Sequence, residues 1–190
     1  MPFSSLRNCK LSFTSYSVVV YLLYNYARLS SARLFAMNEF IYKFTENERE
    51  LRGAFEVRRQ VFIKEQNIPE DLEFDTYDRE ALHMVVKNGE RVIGTARVLF
   101  LTANQAKLER MAILKPFRQK GIGRRLIYYL NEELNKRQVE QVVLHAQCSA
   151  VTFYKSCGFE ESGAPFWEVG IKHIKMQQQL KPQNRTIYAD

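Results

Sequence analysis

The sequence predicts an α/β protein in which a central mixed β-sheet is flanked by helices, and three observations lead there. Apolar segments with two-residue alternation take turns with segments whose apolar residues recur every three or four positions. Asn88-Gly89 divides "HMVVKNGERVIGTARVLFL" into two apolar strands, the strongest short hairpin signal, which gives an antiparallel pair. Finally, the strand "AKLERMAIL" passes through a basic, glycine-containing loop into a helix before the next strand, "VEQVVLHAQ". Hairpin and helical connections together call for a sheet of mixed direction with helices on its faces.

Taken in order, "FIYKF" (Phe40 to Phe44) reads as the first strand. "ENERELRGAFEVRRQVFIKEQ" follows as a helix with Asn47 as its cap and Leu51, Phe55, Arg58 and Phe62 at helical spacing, and Pro69 closes that region. An acidic connector leads to the hairpin and to the third strand. The helix after the basic loop carries one apolar stripe, Ile122, Leu126, Ile127, Leu130 and Leu134. After "VEQVVLHAQ" come a short helix, "SAVTFYKSCG", closed by Gly158, and two final strands in "FEESGAPFWEVGIKHIKM".

Residues 1–36 read as an extension, expected to be poorly ordered. They are rich in Ser, Arg and Tyr, contain no acid, and hold one apolar run, Ser17 to Ala27, too short to cross a bilayer. A targeting segment and translated upstream sequence before a start at Met37 both fit, and the clean strand pattern directly after Met37 favours the second. Residues 37–180 form the expected single domain and 181–190 a tail.

The net charge of +7 owes four units to Arg7, Lys10, Arg28 and Arg33; from residue 37 onward 24 basic side chains face 21 acidic ones. That balance argues against a nucleic-acid partner, and no membrane partner is expected. Three cysteines without zinc spacing point to a reducing, cytoplasmic setting. His83, His145 and His173 are scattered without ligand spacing, so no metal is expected.

Basic charge clusters in "LKPFRQKGIGRRL", where Lys115, Arg118, Lys120, Arg124 and Arg125 surround Gly121 and Gly123 at a helix start. Glycines let the backbone approach a ligand, and the helix N-terminus and the cations favour phosphate. No GK[ST] follows, and Leu126 stands where a dinucleotide fingerprint has its third glycine, so neither nucleotide motif fits.

"RQKGIG" resembles the R/Q-x-x-G-x-G/A signature of the GNAT superfamily of acetyl-CoA-dependent N-acetyltransferases, and "MAILKPFRQKGIGRRLI" is similar to its strand-loop-helix cofactor motif throughout. "FYKSCGF" looks like the superfamily's F-Y-x-x-x-G-F element, and the resemblance runs over about residues 40 to 178 in the expected order. It implies the acyl-CoA N-acyltransferase fold. It also implies a cradle for the CoA pyrophosphate at Arg118, Gln119, Lys120, Gly121, Ile122, Gly123 and Arg124. The strand Met111, Ala112 and Ile113 would bind the pantetheine arm and acetyl carbonyl, and Tyr154 would be the acid for the departing thiolate.

A lysine-like amine, with pKa about 10.4, needs a proton acceptor or a desolvating pocket before it can attack. Glu109, by alternation on the face of Met111 and Ile113, is one candidate base; Glu168 and His145 are others. Lys107 stands where some superfamily members carry a base, which leaves water-relayed proton removal open. Seven acids between Glu65 and Glu80 against Arg79 alone suggest a cationic acceptor or a solvated loop. The acceptor is expected to be a primary amine of a small molecule or peptide, attacking directly in a ternary complex. An amino-sugar phosphate, a non-catalytic acyl-CoA-binding module and a homodimer stay open.

Overall fold

The computed structural model describes residues 40–180, so the expectations for residues 1–36 and 181–190 lie outside the described residues. The chain forms strands β1 (Ile41–Phe44), β2 (Leu82–Asn88), β3 (Arg91–Phe100), β4 (Gln105–Ile113), β5 (Gln141–Gln147), β6 (Glu160–Glu161), β7 (Phe166–Glu168) and β8 (Ile171–Gln179). They make one mixed sheet in the order β1-β2-β3-β4-β5-β8-β6, with β7 also on β8. Among the described residues, only β4 and β5 run parallel. The helices are α1 (Glu48–Arg58), α2 (Glu70–Glu73), α3 (Ile122–Lys136) and α4 (Val151–Lys155).

Local chemistry explains most boundaries. Asn47 starts α1 by accepting from the Glu50 amide at 3.0 Å, while Glu50 reaches back to the Glu46 amide. Beyond Arg58 the helix widens into π-helical turns over Arg59–Glu65. The buried positions of this stretch are Glu50, Ala54, Val57, Arg58, Val61 and Phe62, one step round from the stripe read through Leu51 and Phe55. Gly53 lets this helix approach closely: a Cβ there would lie 2.5 Å from Val92, so the backbone itself packs on the sheet. The hairpin turn also shifts by one residue, because Asn88 pairs with Arg91 and Gly89, at φ 57°, opens the two-residue loop.

α3 buries every residue of its predicted stripe. At the flank of that stripe Tyr129 stacks on Tyr42 of β1, with ring centroids 4.8 Å apart. The final segment holds three strands rather than two, because Val169 and Gly170, both at positive φ, fold "FWEVGIKH" into a tight hairpin.

The two sheet faces can be assigned from register. Tyr42 pairs with Val86, Val86 with Gly94 and Gly94 with Ile113, so these side chains share the α3 face. On the other face, Lys87 reaches Glu50 of α1 at 3.2 Å and His83 sets its ring edge-on to Phe55 of α1. Arg97 pairs with both His83 and Glu109, so it and Glu109 belong to the α1 face.

Candidate active site

β4 and β5 pair from Gln105 with Gln141 as far as Leu108 with Leu144, and no further. Past that point the strands diverge, leaving one edge of β4 without a paired strand. A cleft of about 390 Å³ opens there, lined among others by Phe62, Leu72, Met111, His145, Tyr154 and Glu168.

A bulge decides which residues face which side of this opening. Between Glu109 and Ala112 β4 advances three residues while β3 advances two, from Arg97 to Thr95, and Arg110 takes φ 50°. The extra residue inverts the alternation. Glu109 and Ala112 share the α1 face, whereas Met111 and Ile113 face α3, so the expected common face of Glu109, Met111 and Ile113 is corrected. The cleft therefore has two sides.

On the α3 side lie Tyr154 and the start of α3. The Tyr154 hydroxyl donates to the Met111 sulfur at 3.7 Å and packs edge-on between Phe153 and Phe159. Burial, followed by the neighbouring Cys157, pushes the phenol well above its ordinary range, so it keeps its proton. Below it, α3 begins at Gly121, φ 74°, with no capping side chain. Its first intrahelical bond runs from the Arg125 amide to the Gly121 carbonyl, so the amides of Ile122, Gly123 and Arg124 have no acceptor within the helix.

The two glycines of the loop do different work. Nothing lies within 4 Å of where a Gly121 Cβ would sit, which leaves the helix start open to a phosphate. A Cβ on Gly123 would meet the Phe153 ring at 3.2 Å and the Met111 methyl at 3.4 Å, so this glycine seats α3 against the cleft wall. The residues present thus fit a CoA diphosphate.

The expected cradle residues divide accordingly. Met111, Ala112, Ile113 and Arg118 line the cleft itself. Gln119, at φ 61°, Lys120, Gly121, Gly123 and Arg124 form the helix start, and Ile122 offers only its backbone because its side chain is buried in the core. Arg118, though exposed, is tied back onto the protein: its Nε donates to the Ile113 carbonyl at 2.8 Å and its head pairs with Glu65 at 2.7 Å. Its task in this arrangement is to tie the loop to β4. Lys120 lies over the Phe117 ring and Arg124 donates to the Ser156 hydroxyl.

The α1 side is built on buried charge. Arg58 is fully buried and bonds Glu73 and Asp78, each at 2.6 Å. Arg97, 2% exposed, bonds Asp75 at 2.6 Å, Glu109 at 2.7 Å and Asp78 at 2.8 Å. Arg110 reaches Glu73 at 3.1 Å and the Leu72 and Glu73 carbonyls. Burial alone would raise the Glu109 carboxyl, but hydrogen bonds from Lys107 and Arg97 outweigh it and hold the group below the usual carboxylate range. Asp75 and Asp78 behave alike, burial being overcome by their arginines, whereas burial of Glu73 prevails over Arg58 and raises it.

This network removes the basis for an open acidic acceptor loop. Five of the seven connector acids are engaged: Glu65 with Arg118, Glu70 with Arg59, Glu73 with Arg58 and Arg110, and Asp75 and Asp78 with Arg97. Their charge folds the connector rather than facing an acceptor. Arg58 in the middle of an apolar stripe, followed by an acidic connector, was the signal in the sequence for this network.

A match to the model of the "Acetyltransferase (GNAT) domain" spans residues 39–180, and the chain belongs to that family. It is an acyltransferase of the acyl-CoA-dependent kind. It is 37% identical over 134 residues to the uncharacterised N-acetyltransferase YjcF of Bacillus subtilis, covering 70% of this chain and 95% of that protein. A second B. subtilis protein, the uncharacterised YyaT, is 35% identical over 136 residues, covering 70% of this chain and 91% of YyaT. The fold is also that of an acyl-CoA N-acyltransferase from Pseudomonas aeruginosa, with TM-score 0.65 at 22% identity, covering 74% of this chain and 99% of that one. Among the described residues no helix is long and apolar enough to cross a membrane.

Gly121 offers a direct check on the cradle. Gly121→Val should weaken acyl-CoA binding by about tenfold, since a β-branched residue at positive φ strains the turn and fills the approach while every cation stays in place. Gly121→Ala carries the same backbone penalty with less bulk and should fall between. Unchanged dissociation constants by calorimetry in both variants would contradict the cradle.

Proposed function

We propose that the protein transfers an acetyl group from acetyl-CoA to a primary amine of a small molecule or peptide, by direct attack in a ternary complex. The observation that carries this reading is the two-sided opening past Leu108 and Leu144. Donor-binding groups lie on its α3 side and charged, titratable groups on its α1 side, so the two substrates can enter from opposite faces and meet at the β4 edge. Acetyl-CoA supplies the activated thioester. The unpaired edge of β4 supplies backbone N–H groups to the carbonyl oxygen as it gains charge. Tyr154 holds the proton that the departing thiolate takes.

In this reading Glu109 orders Arg97 and Lys107 beside the acceptor. A carboxylate held below its usual range by two cations is a weak proton acceptor at neutral pH, and Glu109→Gln should keep the acid limb of the kcat/KM profile. Loss of that limb would make Glu109 the base. A cytoplasmic setting suits the free thiols Cys148 and Cys157.

The test is a panel of amino acids, diamines, amino sugars and short peptides incubated with acetyl-CoA or with longer acyl-CoAs, reading thiol release and product mass. Amine-dependent thiol release and a product heavier by one acetyl group are expected. A preference for a longer acyl chain would overturn the acetyl assignment, and CoA binding without turnover of any amine would favour a binding module.

A further inference from the structure

We infer that His145, oriented by Glu168, is the group that takes the proton from the acceptor ammonium. The inference rests on the amine-transfer reading above and deepens it.

His145 is the residue directly after the last β4–β5 pair, Leu108 with Leu144, so it stands where the two strands part. Val143, two residues earlier on β5, pairs with Lys107, whose ammonium reaches Glu109 at 2.7 Å; His145 therefore shares the α1 face with Glu109. The imidazole lines the cleft, as Glu168 does, and is partly open to solvent. It sits on the side opposite Tyr154. An amine between them would have a proton acceptor on one side and a proton donor on the other.

The ring is held from two directions. Its Nδ1 lies 3.4 Å from Glu168 Oε2, and the Phe166 ring meets it edge-on with centroids 4.9 Å apart. A carboxylate at ion-pair distance from Nδ1 favours the neutral ring's proton on that nitrogen, which leaves the lone pair on Nε2. Both partners come from β7, and their placement depends on the tight turn at Val169 and Gly170. Val169 is a β-branched residue at φ 49°, a strained conformation that persists where surrounding structure enforces it. That strained turn is what brings Glu168 back over β5.

The other charged groups on this face are accounted for. Lys107 and Glu109 on β4 neutralise each other, and Glu109 is further held by Arg97. Arg110 and Glu73 pair together at the far wall. On β8, Lys175 is the cross-strand partner of His145, and His173 stacks on Phe166 with its Nδ1 against the Ile171 carbonyl. Of these groups, His145 combines a side chain lining the cleft with an orienting carboxylate on one nitrogen.

The proton balance closes. Nε2 takes one proton from R–NH3+, giving the amine, and later returns it to water. The amine nitrogen forms its bond to the acetyl carbon as the carbon–sulfur bond breaks. The thiolate takes the Tyr154 proton, and the phenol regains one from the acylated nitrogen. The products are the amide and CoA thiol, with one proton released.

The experiment measures kcat/KM against pH for the wild type, His145→Gln and Glu168→Gln, using acetyl-CoA and the best amine of the panel. Acetyl-CoA affinity is read separately by calorimetry. His145→Gln should lower kcat/KM at neutral pH by about 10²-fold or more and abolish the acid limb. Activity should recover toward the pH at which the amine deprotonates unaided, with acetyl-CoA affinity unchanged. Glu168→Gln, acting through the ring, should shift the limb and cost about tenfold. Added imidazole should restore part of the rate to His145→Ala. An acid limb retained in His145→Gln at near wild-type rate would overturn the assignment while leaving amine transfer intact. Acetyl-CoA binding without turnover of any panel amine by the wild type would overturn the transfer reading, and the assignment with it.

Discussion

Replacing Tyr154 by phenylalanine is expected to lower kcat by about 10²- to 10⁴-fold while leaving the KM for acetyl-CoA nearly unchanged. The hydroxyl is the only group removed, and the ring's packing against Phe153 and Phe159 is kept, so the fold should survive the change. Within the protein the O–H donates to a thioether, the Met111 sulfur, a weak acceptor that a thiolate would readily displace. Burial and Cys157 hold the phenol above its ordinary range, so it remains an acid throughout the neutral range and adds no basic limb of its own there. Steady-state kinetics at saturating acetyl-CoA and amine provide the check. A near wild-type kcat would remove Tyr154 from the chemistry and leave it a packing residue.

The largest stability effect should come from Asp78→Ala. Asp78 accepts from both Arg58, fully buried, and Arg97, 2% exposed, and its loss strands part of two buried cations. Breaking a buried pair costs about 3–5 kcal/mol, and the lower end applies because Glu73, Asp75 and Glu109 still hold the guanidinia. Denaturant unfolding measures it, and a loss below about 1 kcal/mol would mean that the network is not organised around Asp78. The pH dependence has a definite sign. Asp75, Asp78 and Glu109 are held below their ordinary values, so their contribution is present above the unfolded carboxylate range and is lost as pH falls through the lower folded values, below about pH 4. Glu73 is raised, so it works in the opposite sense and in a different window: its cost grows as pH rises from the unfolded carboxylate value through the higher folded one. Asp78→Ala should therefore flatten the acid side of the stability curve.

What could be read from the sequence was what depends on periodicity and on glycine. The α3 stripe from Ile122 to Leu134 is buried as spaced, the hairpin forms within one residue of Asn88-Gly89, and the loop "RQKGIG" opens a helix whose first amides lack partners. Side-chain direction past a bulge was not legible. Arg110 takes a positive φ without being a glycine, so nothing in "KLERMAI" announces that Glu109 and Met111 part company. The acidic connector misled for a related reason. Its partners Arg58, Arg97 and Arg110 lie on α1, β3 and β4, and only tertiary structure shows that their charges cancel. The final hairpin was hidden too, because Val169 is a residue that two-residue turns rarely place at positive φ.

In the proposed reaction donor and acceptor meet directly at the divergence of β4 and β5, without an acetylated form of the protein. Mass spectrometry of the intact protein, mixed with acetyl-CoA first alone and then with the amine that it turns over fastest, tests this most directly. With direct attack, thiol release requires the amine, the protein mass stays unchanged, and the acetyl group appears on the amine. A protein heavier by one acetyl group before the amine is added, and losing it to the amine afterwards, would contradict direct attack and place a covalent step in its stead.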